Sequence, residues 1–377
     1  MTAAPFPAKP QRFVSLDVFR GATIFLMILV NTAGPGAKPC TQLVHAKWIG
    51  FTLADLVFPC FLFAMGNAMS FATRKPIATG PYLKHLFRRG AIIFAIGFFM
   101  FWYPFVRHDA DGWSMAPFAL TRIPGVLQRL ALCYVLAGLM VRWLDWKKLL
   151  AACVVLLLGY WAILLTFSLP GEAYSKFGNA GTRLDLYLLP KGHLYKKDGG
   201  FDPEGFLGTL PATVNVIAGY LAGVAILRAG SLQNTLRTLA LAGAALVIAA
   251  LAWSPWFPIA KKLWTGSFVL LTVGIALILL AAASWLFEVK GVSAGKRFFT
   301  ILGRNPLAIY LFSELLVITM NLVRIPGYGG LYDWIGIALF QQLVPGPVGS
   351  LLCAFIYTMV CWGVGWALDR KGLILRA

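Results

Sequence analysis

Charge is scarce in this chain. Only 12% of its 377 residues are Asp, Glu, Lys or Arg, about half the roughly 25% of an ordinary soluble domain. A soluble protein with 59% hydrophobic residues would leave wide apolar faces in water, whereas a bilayer covers them. Acidic residues are scarcer still, 14 against 33 basic, for a net charge of +19. That excess would point to nucleic acid if it covered one surface. It sits instead in short clusters between apolar runs, the habit of cytoplasmic loops in membrane proteins, so nucleic acid is excluded as a partner. The six cysteines form no CxxC and no paired spacing, and most lie inside apolar runs; neither a disulfide framework nor a zinc site is expected. There is no Walker loop, no GxSxG and no H-E-x-x-H, which argues against soluble-type nucleotide hydrolysis. No metal is expected.

What the chain does have is apolar length. A spanning helix needs about 20 mostly apolar residues, and ten runs qualify: 13–33, 49–72, 90–106, 124–141, 149–168, 211–227, 238–256, 265–287, 298–322 and 346–368. The expected fold is all-α, a polytopic membrane helix bundle forming one domain over 1–377. Lys9 and Arg12 precede the first run, but Asp17 and Arg20 interrupt its start and no clear cleavage site follows, so it reads as a retained helix rather than a signal peptide. Basic residues crowd one set of loops: Lys9, Arg12, Arg74, Lys75, Lys84, Arg88, Arg89, Arg142, Lys147, Lys148, Arg228, Arg237, Lys290, Lys296, Arg297, Arg370, Lys371 and Arg376. The positive-inside rule then places both termini in the cytoplasm and the long segment 169–210 outside. A connection that long is usually functional or disordered.

Ionisable groups at membrane depth are functional candidates by default. Asp17 and Arg20 stand three apart on one helix face, either as an interfacial ion pair or as part of a site. Asn31 ends the first helix, as a C-cap or as a site residue. Asp55 lies in the outer part of the second helix and Arg129 in the outer half of the fourth, at depths that allow them to pair. Arg304 lies in the inner third of the ninth helix and Glu314 near its midplane. His45 stands in the short outer loop between Asn31 and Asp55, and a histidine beside a carboxylate is a general-base arrangement.

The segments Ser15–Gly21, Leu29–Asn31, the run from His45 to Pro59, Gly125–Arg129 and Lys261–Thr265 together resemble the heparan-α-glucosaminide N-acetyltransferase family and its bacterial relatives. The resemblance implies transfer of an acetyl group from cytosolic acetyl-CoA to an amino sugar across the membrane. It also implies a catalytic histidine in the first outer loop, His45, with Asn31 lining the same site. Against the lysosomal members, the sequence lacks their large N-terminal luminal domain and has a slightly longer Asn31–His45 loop, which leaves the acceptor sugar open. CoA is polyanionic and its arm is on the order of half the roughly 30 Å hydrocarbon core, so a basic inner mouth would hold the nucleotide. Arg228, Arg237, Lys296, Arg297 and Arg304 are the candidates, with topology setting as the plainer alternative for each. Asp55 and Arg129 would shape the outer end of the site, Arg129 counted among the groups that hold acetyl-CoA. The expected setting is a bacterial inner membrane, with lipid, an amino-sugar or glycan acceptor and a second copy of the chain in a homodimer as partners. The rival reading is a secondary transporter of a sugar or amino sugar, which needs buried charge but no nucleotide site.

Overall fold

Backbone groups in hydrocarbon must find partners within their own segment, so apolar runs close into helices. The computed structural model describes residues 13–73, 77–109 and 112–375. The calls on Lys9, Arg12, Arg74, Lys75 and Arg376 lie outside those residues. In chain order the helices are α1 (Val14–Asn31), α2 (Leu53–Ala72), α3 (Thr79–Trp102), α4 (Val126–Trp143), α5 (Trp146–Phe167), α6 (Ala180–Leu188), α7 (Thr209–Leu227), α8 (Leu232–Trp253), α9 (Gly266–Ser284), α10 (Lys296–Arg304), α11 (Pro306–Leu322), the short α12 (Leu331–Trp334) and α13 (Gln341–Leu343), and α14 (Pro347–Arg370). Among the described residues nine helices are long and apolar enough to span a membrane, or ten if α10 and α11 count as one bent span. Among the described residues sheet is limited to two short hairpins, Val106–Asp109 with Gly112–Met115 and Arg324–Ile325 with Gly329–Gly330.

The run expected as one helix over 298–322 is two helices meeting at 81°. Pro306 is the reason: its ring displaces the preceding residue from helical backbone and it brings no N–H. Asn305 takes φ −126° and ψ 49°, and its amide bridges to the C-terminal tail, donating to Leu373 O at 3.0 Å and accepting from Leu375 N at 2.8 Å. The third helix begins at Thr79 rather than near 90, because Lys84, His85, Arg88 and Arg89 extend it beyond its apolar part. Asp17 and Arg20 do form the intrahelical ion pair.

Lipid does not drive helices together, so close backbone approach and dispersion must. α2 and α7 cross where glycines face backbone: a Cβ on Gly66 would lie 1.8 Å from Val216 O, and one on Gly219 1.9 Å from Phe63 O. α1, α2, α7 and α9 carry most of the buried core. α5 and α8 turn Val154, Val155, Leu158, Leu241, Ile248 and Leu251 outward, the surface that lipid covers. The 169–210 segment is ordered around α6 and packs on the bundle end where α1 finishes and α2, α4 and α7 begin. Trp48 Nε1 donates to Tyr174 O at 2.8 Å and its ring meets Phe201 at 4.9 Å.

Candidate functional site

Two helix ends and the loop joining them build the site. Asn31 closes α1, and Asp55 is the third residue of α2. An N-terminal helix turn leaves N–H groups unpaired, and Asp55 with Thr52 satisfies them as a capping box. Asp55 Oδ2 accepts from Thr52 N at 3.0 Å, Thr52 Oγ1 at 3.0 Å and Ala46 N at 3.2 Å. Its Oδ1 stands 3.0 Å from His45 Nδ1. A carboxylate accepts only, so Nδ1 carries the proton and Nε2 keeps its lone pair. The Asp55 side chain is fully buried while that of His45 is 42% exposed; the carboxylate is fixed and the imidazole is reachable.

The His45 loop is tied down elsewhere as well. Gly50 has φ +119°, a conformation that favours glycine, and its N–H donates to Ile259 O at 2.8 Å. That bond straps the loop to the segment between α8 and α9, which brings Lys261 onto the imidazole. Lys261 Nζ lies 3.0 Å from each ring nitrogen and 3.8 Å from Asp55 Oδ1.

His45, Asn31, Glu314 and Lys261 line one cavity of about 420 Å³. Asn31 Nδ2 donates to Glu314 Oε1 at 2.9 Å, leaving its second N–H and its carbonyl oxygen for other partners. The facing wall is Arg122, whose Nε donates to Asp202 Oδ2 at 2.9 Å and whose Nη2 lies 2.5 Å from both Asp202 Oδ1 and Glu204 Oε2. The guanidinium also packs over Tyr195 at 4.5 Å and Phe101 at 5.0 Å, which fixes it on four sides. Nearby Asp198 bridges Lys176 at 2.8 Å and Lys262 at 2.6 Å; despite burial, those two ammonium groups hold its carboxyl below the usual range.

The structure thus joins His45, Asn31 and Asp55 as the sequence suggests. It does not join Arg129 to Asp55. Arg129 is 2% exposed, donates Nη2 to Gly205 O at 2.8 Å and packs over Trp264 at 5.0 Å. The two acidic oxygens are already taken by His45, Ala46, Thr52 and Lys261, and Arg129 instead holds the outer segment to α4. Behind it Asp185 is buried, and that burial pushes its carboxyl up to about 7. At the other end of the bundle Lys296, Arg297 and Arg304 line a cleft of about 570 Å³, where Arg304 is paired with Asp369. Arg228 follows the end of α7 and Arg237 lies in the second turn of α8; neither lines that cleft. Sequence reasoning missed Lys261, Arg122 and Glu204 as site residues. For Lys261 a signal existed, since the run Lys261–Thr265 is among the segments that carry the resemblance. Among the described residues no cluster of three or more His, Cys, Asp or Glu is placed to hold a metal ion.

Comparison with known proteins gives three findings. Residues 12–188 match a family model described as heparan-alpha-glucosaminide N-acetyltransferase, catalytic. That stretch contains Asn31, His45, Asp55 and Arg122 and stops short of Lys261. The chain is 27% identical to a Homo sapiens protein named heparan-alpha-glucosaminide N-acetyltransferase over 372 residues, covering 82% of this chain and 53% of that protein. It is 26% identical to the Mus musculus protein of the same name over 369 residues, covering 82% and 54%. The chain therefore spans about half the length of the curated relatives it matches.

Proposed function

We infer from the match to the heparan-α-glucosaminide N-acetyltransferase family, which the catalytic family model and both curated relatives support, that this protein is a transmembrane acetyltransferase. It moves the acetyl group of acetyl-CoA from the cytoplasm to the amino group of a glucosamine-type sugar in the periplasm. The observation that carries the reading is the His45–Asp55 pair, open to a cavity that Asn31 shares.

The chemistry follows from the hydrogen bonds. Asp55 holds the proton on Nδ1, so Nε2, beside Lys261 Nζ, keeps the lone pair that a base needs. The acceptor nitrogen attacks the thioester carbonyl carbon; the new C–N bond forms as the C–S bond breaks. His45 takes a proton from that nitrogen and passes it to the departing sulfur. Asn31, oriented by Glu314, offers an amide N–H to the oxygen that gains charge. A covalent route, with Nε2 carrying the acetyl group between two half-reactions, uses the same residues.

The opposite end of the bundle fits a polyanionic donor. Lys296 and Arg297 border an open cleft and suit phosphates. A smaller cavity of about 210 Å³ at the same end is lined by Arg20 and Asn67. Asn67 is 3% exposed, and both polar atoms of its amide lack a hydrogen-bond partner. A buried unpaired amide is costly, and an amide-bearing chain would satisfy it. Asn67 lies twelve residues along α2 from Asp55, about 18 Å at the helical rise, close to the reach of the CoA arm.

The direct test is transfer by purified protein from labelled acetyl-CoA to glucosamine, with N-acetylglucosamine counted. No product above the protein-free rate would end the reading in favour of transport or another activity. Replacing the open-cleft cations together, Lys296→Gln with Arg297→Gln, is expected to raise the Michaelis constant for acetyl-CoA about tenfold or more, roughly 1.4 kcal/mol, and to leave that for the acceptor unchanged. An unaltered acetyl-CoA dependence would assign these residues to topology alone. Orientation is tested by cysteine labelling in a Cys40→Ser background. Tyr187, 86% exposed on α6, is expected to react as cysteine with an impermeant maleimide in intact cells. Lys84→Cys is expected to react only after permeabilisation; the reverse pattern inverts the topology.

A further inference from the structure

Acetylating an ammonium group releases two protons, and the thiol product absorbs one. The balance is R–NH₃⁺ + CH₃CO–SCoA → R–NH–COCH₃ + HSCoA + H⁺. His45 accounts for the proton that ends on sulfur. The other must leave the nitrogen before attack, because an ammonium has no lone pair. A site that receives the charged form of an amine therefore needs a second base.

Lys261 stands where that base is required. Its Nζ lies 3.0 Å from His45 Nε2 and Nδ1, it lines the same cavity, and its side chain is 13% exposed. The backbone strap from Gly50 to Ile259 holds its loop against the His45 loop, so the contact belongs to the fold and not to a wandering side chain. Charged groups face it from four directions. Asp55 of α2 and Glu204 of the outer segment favour the ammonium, whereas Lys262 beside it and Arg129 of α4 oppose it. Burial is the largest influence, and it pushes the ammonium down to about 8. The free amine is therefore far more accessible near neutral pH than for a solvated lysine.

We propose that Lys261, as its free amine, takes the first proton from the acceptor ammonium, so that the nitrogen lone pair is released beside His45. The proton then passes to water through the open side of the cavity, and Lys261 is restored. This role rests on the acetyl-transfer reading and concerns the charged form of its acceptor. It gives the site a preference for basic amines over hydroxyl groups, since O-acetylation releases one proton and needs one base.

Arginine and methionine separate the base from its alternatives. Arginine keeps the charge but does not give up its proton; methionine keeps much of the volume. With glucosamine at pH 7, both Lys261→Arg and Lys261→Met are expected to lower kcat/KM by about fivefold to tenfold, the factor by which free amine is short at that pH for a group that titrates like an α-amino group. The loss is expected to fall to within about twofold by pH 9, where the acceptor arrives already deprotonated, and acetyl-CoA affinity is expected to stay at the wild-type value. Retained activity in Lys261→Arg would overturn the proposal in favour of a fixed positive charge. A loss independent of pH, or one accompanied by weaker acetyl-CoA binding, would overturn it in favour of a structural role. Wild-type protein that transfers nothing to glucosamine at any pH overturns the acetyl-transfer reading itself, and this role with it.

Discussion

His45→Ala is expected to lower acetyl transfer by roughly 10²–10⁴-fold while the protein still inserts, folds and binds acetyl-CoA. The side chain is 42% exposed and sits in a loop, so its removal opens no core cavity. Its loop keeps other ties: Ala46 N–H still reaches Asp55, and Gly50 still pairs with Ile259. What disappears is the one base whose second nitrogen is held by a fully buried carboxylate. Turnover and acetyl-CoA affinity should be measured on the same preparation, so that lost chemistry is separated from lost binding. Retention of more than about a tenth of wild-type turnover would sink the mechanism, because a tenfold loss is only about 1.4 kcal/mol of barrier. A loss well beyond 10⁴-fold would favour the covalent route, in which His45 is a reactant and not only a base.

The parts of the site that were legible in the sequence are those carried by one short stretch of chain. Asn31, His45 and Asp55 lie within a helix end, a loop and a helix start, so their proximity follows from connectivity. Lys261, Arg122 and Glu204 reach the cavity from three other loops, and apolar periodicity does not say which loops converge. Depth misleads in the same way. The sequence suggests similar depths for Asp55 and Arg129, yet depth is one coordinate of three. Arg129 faces the outer segment at Gly205, and Asp55 faces its own loop. The bend at Asn305–Pro306 was written in the sequence, but a continuous apolar run from 298 to 322 outweighs one proline when only hydropathy is weighed. Nine of the ten expected spans, by contrast, stand among the described residues as long apolar helices, because lipid imposes that length on every span.

Asp55→Asn probes the orienting step with almost no change in volume, and a loss of turnover of roughly 10²–10⁴-fold is expected. Three donors converge on Oδ2: the Thr52 and Ala46 N–H groups and the Thr52 hydroxyl. In the variant the amide oxygen is drawn to that position, because an NH₂ group there would face two N–H donors. The amide nitrogen then occupies the Oδ1 position, 3.0 Å from His45 Nδ1, and it can only donate. Nδ1 must become the acceptor, the imidazole proton moves to Nε2, and the nitrogen facing the cavity is no longer a base. Lys261 loses its carboxylate neighbour at the same time. Stability is expected to change little, since the cap of α2 keeps its three donors satisfied. Asp55→Ala makes the contrast: it strands those donors and is expected to cost about 0.5–2 kcal/mol of stability in addition to activity. Histidine ring nitrogen shifts read the tautomer directly. An Asp55→Asn protein with wild-type turnover, or one that loses activity while Nδ1 keeps its proton, would show that Asp55 only caps a helix. Activity lost together with a proton moved to Nε2 would tie catalysis to the hydrogen bond that Asp55 makes with His45.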